Sequence, residues 1–123
     1  MPENHKQQLG HWGEQIAAHH FMEHGLTVIA RNVRTPYGEL DLLVRDGEVL
    51  VVVEVKTRAS ANFGLPEEAI TPQKRTHLLQ SAQHYLQQHP ELDGDWRIDV
   101  IAIRRQPGSQ SVEIIWFKDA VSQ

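Results

Sequence analysis

Apolar residues between Leu9 and His24 recur at helical spacing. Trp12, Ile16, Ala17, His20 and Phe21 trace one stripe, and Gly25 stands where a C-terminal cap belongs. The period then shortens. Leu26, Val28 and Ala30 alternate with Thr27 and Ile29, which predicts a strand over Leu26 to Val33. Two more strand-like runs, Gly38 to Arg45 and Glu48 to Lys56, flank the pair Asp46-Gly47, a strong short hairpin signal. Thr57 to Pro66 reads as a loop carrying Gly64 and Pro66. Thr71-Pro72 opens a second helix, with Thr71 as N-cap and Pro72 at the first position. Leu78, Leu79, Ala82, Tyr85 and Leu86 give its buried face, and it ends near His89-Pro90. Trp96 to Ile103 is apolar enough for burial on both faces, Pro107-Gly108 marks a turn, and Val112 to Phe117 is a last strand. Residues 1–8 read as a flexible, disordered lead, and 9–123 as one domain. The order of helix, three strands, helix and two strands predicts a mixed α/β layered domain.

The hairpin carries the candidate chemistry. Side chains two apart on a strand share a face. Glu39, Asp41 and Leu43 therefore point one way, as do Leu50, Val52, Glu54 and Lys56. With Asp46-Gly47 as the turn pair, Arg45 pairs with Glu48, Asp41 lies opposite Val52, and Glu39 lies opposite Glu54. Three carboxylates and one ammonium then converge on one patch. Such a cluster against an apolar sheet calls for a cation. Few, hard oxygen ligands suit Mg²⁺ or Mn²⁺. Lys56 beside them could orient or help deprotonate a water, or stabilise charge on a phosphate. The pattern suggests metal-assisted phosphodiester hydrolysis. A solvated surface hairpin with a cross-strand Glu–Lys pair accounts for the same spacing.

Composition narrows this. The chain has 123 residues, enough for one core, and no Cys, which excludes disulfides and thiolate metal sites. Its first residues carry no apolar signal-like segment, and Val49 to Val53, the longest apolar run, is far too short to span a bilayer. A cytoplasmic protein away from the membrane is the expectation. The net charge of −4 works against extensive phosphate contact. Bound cations would cancel part of it, and basic residues cluster at Arg31, Arg34, Lys56, Arg58, Lys74 and Arg75. Lys74 and Arg75, in the first turn of the second helix, suit a nucleic-acid backbone. Arg58 extends the face of Lys56, and Arg34 completes the expected set of phosphate contacts.

An ordered set of motifs goes further. Gly10-x-x-Gly13-Glu14-x-x-Ala17, Arg31-Asn32-x-Arg34, Gly38-Glu39-Leu40-Asp41-Leu42, Val53-Glu54-Val55-Lys56-Thr57-Arg58, Phe63-Gly64-x-Pro66 and Arg97-Ile98-Asp99-Val100 resemble the YraN-like family of bacteria. Asp41 followed by Glu54-x-Lys56 resembles the PD-(D/E)xK signature of restriction-endonuclease-like nucleases, although no Pro directly precedes Asp41. The resemblance spans roughly residues 10 to 117. It implies an α/β domain with an αβββαβ core, related to archaeal Holliday-junction resolvases. It also implies a DNA endonuclease in which Asp41 and Glu54 hold Mg²⁺ or Mn²⁺ and Lys56 serves the attacking water. Glu14 fits the helix carboxylate that completes the metal site in resolvase-like relatives, with Glu39 as a further ligand. The implied substrate is DNA, branched or single-stranded, and the implied assembly is a two-fold homodimer that cuts two strands. The rival reading is a non-catalytic binding module that keeps the fold and recruits a DNA-processing partner.

Other residues read as structural. Asp99, between Ile98 and Val100, needs a buried partner, which Arg97 or a helix-capping amide could supply. His20 and His24 have helical ligand spacing but no evident third ligand. Trp12, Trp96 and Trp116 are read as core or interface residues.

Overall fold

The computed structural model describes residues 4–58, 70–105, 108 and 111–121. The first helix, α1 (His5–Glu23), begins four residues before the predicted start. Asn4 explains the difference. Its side chain accepts from the Gln7 backbone N–H, and the Gln7 side chain accepts from the Asn4 N–H, a reciprocal capping box. The helix ends as the sequence predicts. Gly25 adopts a φ of 84°, the Gly25 N–H donates to Met22 O, and the Leu26 N–H reaches back to Phe21 O. This is a Schellman end, sealed by burial of Leu26 and Phe21 in one core cluster.

Strands β1 (Thr27–Thr35), β2 (Gly38–Asp46) and β3 (Val49–Arg58) follow as an antiparallel meander. Helix α2 (Pro72–Gln88) crosses over to β4 (Trp96–Arg105), which runs parallel to β3, and β5 (Val112–Phe117) closes the sheet in the order β1-β2-β3-β4-β5. Thr71 caps α2 through the Lys74 N–H, and Pro72 stands in its first turn. The order matches the αβββαβ core of restriction-endonuclease-like proteins, with β5 added. Of the predicted loop, Thr57 and Arg58 belong to β3, whereas 59–66 lie outside the described residues, as does Pro107.

The two helices cover opposite faces. On one side Ala17, Ala18 and Phe21 of α1 pack on Leu42, Val44, Val51, Val53, Ile101 and Ile103. On the other, Leu78 and Ala82 of α2 pack on Leu40, Leu43, Val52, Ile98 and Val100. Strands β3 and β4 are thus apolar on both faces, as a two-sided core requires. Among the described residues, no helix is long and apolar enough to cross a membrane.

The hairpin register differs from the predicted one. Asp46 pairs with Val49, Arg45 with Leu50 and Leu43 with Val52, so the two-residue loop is Gly47-Glu48. Gly47 alone of that pair has a positive φ, 62°, which matches a type II′ turn with Gly at its first position. The predicted loop would instead have used Asp46. Shifting the loop by one residue moves the pairing by two, so faces are kept. Continued past the last paired residues, the count sets Asp41 opposite Glu54, in place of Val52 for Asp41 and Glu39 for Glu54. Strict alternation also fails at Asp41. Leu40 and Leu43 lie in the α2-side cluster and Leu42 in the α1-side cluster, so Glu39, Asp41 and Leu43 do not simply share a face.

Candidate functional site

The irregularity at Asp41 builds the site. Where the β2–β3 ladder stops, the Val55 N–H donates to Asp41 Oδ2 at 2.9 Å. The side chain thereby takes over an acceptor position of the lost ladder. Across β1, Asn32 adopts a left-handed φ of 52°, a conformation Asn tolerates better than most residues. With its amide nitrogen turned to the carboxylates, Asn32 donates to Glu39 Oε1 at 3.0 Å and Glu14 Oε1 at 3.1 Å. One amide thus ties a carboxylate of α1 to one of β2. Carboxylate oxygens of Glu14, Glu39 and Asp41 all lie within 4.8 Å of one another.

Glu14 reaches this cluster because α1 lies very close to β3 at Gly13. A Cβ on Gly13 would come within 2.0 Å of Thr57 Oγ1 and 2.9 Å of its Cγ2. We expect Gly13→Ala to push α1 off β3, cost about 1–3 kcal/mol in urea unfolding, and move Glu14 out of the cluster. Adding Thr57→Ala removes the two closest atoms and should recover most of the loss. Simple addition of the two single effects would show that the contact is not the cause.

Glu54 stands beside the cluster, 4% exposed, in other company. Lys74 Nζ of α2 pairs with Glu54 Oε1 at 2.5 Å, and Lys56 Nζ lies 3.6 Å from the same oxygen. The electrostatics follow. Burial, then the Glu54 charge, push the Asp41 carboxyl up to about 8, against the pull of the Val55 N–H. Burial and neighbouring Lys74 push the Lys56 ammonium down to about 8, against the pull of Glu54. Burial also lowers Lys74, but Glu54, with Lys56 and Asp41 adding to it, holds that ammonium up. Burial raises Glu14, with Glu39 adding to the effect.

The structure therefore gathers Glu14, Glu39, Asp41, Glu54, Lys56 and Lys74 at one end of the sheet. Lys74, expected at a phosphate, pairs with Glu54 at the edge of this cluster. Arg34 pairs with Glu39 in the β1–β2 ladder, and Arg34, Arg58 and Arg75 are all exposed. Arg58 donates to the Thr57 carbonyl at 3.0 Å. Asn32 was missed as a site residue. Its signal was a polar, β-disfavouring residue within a strand. A cleft of about 470 Å³ adjoins the carboxylates, between the β1–β2 turn and α2.

The chain as a whole is similar to known sequences. The model of the uncharacterised protein family UPF0102 matches residues 13–103. A UPF0102 protein of Desulfitobacterium hafniense (strain Y51) is 42% identical over 121 residues, covering 93% of this chain and 96% of that protein. A UPF0102 protein of Syntrophotalea carbinolica is 43% identical over 105 residues, 85% of each chain. Another, from Beutenbergia cavernae, is 46% identical over 109 residues, 88% of this chain and 92% of its own.

Proposed function

We propose that this chain, which belongs to the uncharacterised protein family UPF0102, is a divalent-metal-dependent DNA endonuclease. The observation that carries the reading is the meeting of Glu14, Glu39 and Asp41 next to Glu54 and Lys56. The donors are all hard carboxylate oxygens, drawn from a helix and a strand, which suits Mg²⁺ or Mn²⁺. Burial first, then the Glu54 charge, raise the Asp41 carboxyl, and a bound cation would relieve that cost, which supports the reading. Glu14, Glu39 and Asp41 would hold the ion, with Glu54 at its border. When bound, Mg²⁺ or Mn²⁺ supplies a Lewis acid for a phosphate oxygen and acidifies water.

The other residues orient. Glu54 holds Lys56 by charge, and the buried sheet on which both stand fixes where the Lys56 amine projects. Lys56 positions the water whose oxygen bonds to phosphorus as the P–O ester bond breaks, one water proton leaving to a base and the departing oxygen taking up another. Lys74 adds positive charge where the phosphate would lie.

The test is cleavage of labelled linear, single-stranded, flap and four-way-junction DNA, with Mn²⁺ or with EDTA, by wild type and Lys56→Ala. We expect metal-dependent cutting that Lys56→Ala abolishes without unfolding, and a melting temperature that rises with Mn²⁺. Equal cutting by the variant would identify a contaminant. No cutting and no stabilisation by metal would favour a binding module that keeps the nuclease fold.

A further inference from the structure

The cleft beside the carboxylates is built, and its chemistry differs from that of a surface for duplex DNA. Its outer wall is the β1–β2 turn, pinned to α2. The Thr35 hydroxyl bridges Gly38 O at 2.7 Å and Ser81 Oγ at 2.9 Å, and it accepts from the Tyr37 N–H at 3.1 Å. Tyr37 stands at the rim, 45% exposed, with its ring edge-on to His84 at 6.1 Å. The floor is Leu78 and Ser81 of α2, 3% and 1% exposed. Gln73 lines one side, and Asp41 with Glu54 forms the inner end. A floor of one leucine beside a serine, an amide at the side and an exposed aromatic at the rim suit a nucleobase.

Size and charge point the same way. A volume of about 470 Å³ takes one planar group and not a stacked duplex, whose bases are hidden. Among the described residues the lining offers Lys74 as its one ammonium, and that group is already paired with Glu54. With a net charge of −4, the chain is poorly equipped for the many phosphate contacts that hold a duplex. Affinity must then come from burying a base. That step is least costly for a nucleotide already out of its stack.

We propose that this cleft receives the base of one unpaired nucleotide adjoining the phosphate presented to Asp41, so that the substrate is a DNA strand with unpaired positions. The proposal rests on the nuclease reading for the identity of its ligand. The test measures binding by the full chain, in Ca²⁺, of a short DNA strand with 2-aminopurine at one position, alone or fully paired. Single-strand binding is expected to exceed duplex binding by at least about tenfold, with a change in 2-aminopurine fluorescence. It should weaken less than about tenfold between about 50 and 200 mM KCl, as for roughly two phosphate contacts. Tyr37→Ala should weaken single-strand binding roughly tenfold and leave duplex binding unchanged, whereas Tyr37→Phe retains it.

Equal affinity for both forms, no binding of either, a steep salt dependence or an unaffected Tyr37→Ala variant would each overturn the proposal. Cleavage of the same strands in Mn²⁺ separates the two ideas. Cutting without preference for unpaired DNA overturns the cleft's role and leaves the nuclease. Selective, Tyr37-dependent binding without any cutting supports the cleft and removes the nuclease.

Discussion

Asp41→Asn is expected to abolish metal-dependent cleavage and, in the same stroke, to make the metal-free protein more stable near pH 8. The loss should be at least about 100-fold, the scale on which even the outer partners of metal ligands act. The gain in stability follows from linkage. Asp41 has a native pKa of about 8 against an ordinary value of 3.8. Between those values the native state holds a proton that the unfolded chain has released. Its stabilising effect is complete below about pH 4 and fades as pH rises to about 8. The metal-free wild type should therefore lose stability steadily from pH 5 towards pH 8, and Asp41→Asn, which has no proton to release, should lose much less.

Lys56 acts in a separate window. Its pKa, lowered from 10.5 to about 8, gives stability that is complete above the upper value and fades as pH falls through the lower one. Melts confined to pH 5–8 thus leave Lys56 largely out, and the difference between wild type and Asp41→Asn removes what both proteins share, the raised Glu14 carboxyl included. A divalent ion competes with the proton on Asp41, so Mn²⁺ should raise the melting temperature more at pH 8 than at pH 5. Parallel pH profiles for wild type and Asp41→Asn would show that Asp41 is not the strained group.

How far the site was legible depended on which force fixed each residue. Local rules worked where local forces decide. The Thr71 cap with Pro72, the Gly25 terminus and the apolar runs of β3 and β4 all follow from backbone chemistry and burial. That Glu54 and Lys56 lie near Asp41 was readable because sliding the loop by one residue moves the pairing by two and keeps β3 on its face. The loop itself slid because only Gly takes the positive φ of a type II′ turn cheaply, and that set Gly47, not Asp46, at the first loop position. The partnership of Lys74 with Glu54 was not legible. It joins residues of α2 and β3 through packing that no window of sequence contains. Asn32 fell between the two cases. Its left-handed backbone breaks the period that makes strands readable, and its amide bridges α1 to β2. Departures from local consistency are where function concentrates, and here two of them, Asn32 and the broken alternation at Asp41, face each other across β1 and β2.

Asp99→Ala is expected to cost about 3–5 kcal/mol of folding stability. Asp99 is fully buried in β4, and its two oxygens accept four hydrogen bonds. Arg97 Nε and Nη2 donate at 3.0 and 3.3 Å, Trp116 Nε1 at 2.9 Å and the Asp119 N–H at 2.8 Å. The sequence named Arg97 or a helix-capping amide as partner; the structure supplies Arg97, and in place of a helix cap it adds the Trp116 indole and the Asp119 N–H of the turn after β5. Arg97 also donates to Asp46 Oδ2 at 3.0 Å, so one carboxylate links β4 to the hairpin end, to β5 and to the chain after it. Truncation leaves a largely buried guanidinium with Asp46 alone and strands two N–H donors.

Against a typical total of about 5–15 kcal/mol, that loss would bring unfolding close to working temperature. Urea titration should show a lower midpoint with an unchanged slope. Adding Arg97→Met should recover part of the loss, because an apolar pair costs less than an orphaned charge. A loss below about 1 kcal/mol in Asp99→Ala would mean that water replaces all four bonds, and that β4 is held by its apolar residues alone. Since Glu54 pairs with Val100 and Val53 with Asp99 across β3 and β4, loosening this network should also blur the position of Glu54. Cleavage by Asp99→Ala should then fall below what its folded fraction predicts, a gap that measurement under strongly stabilising conditions would expose.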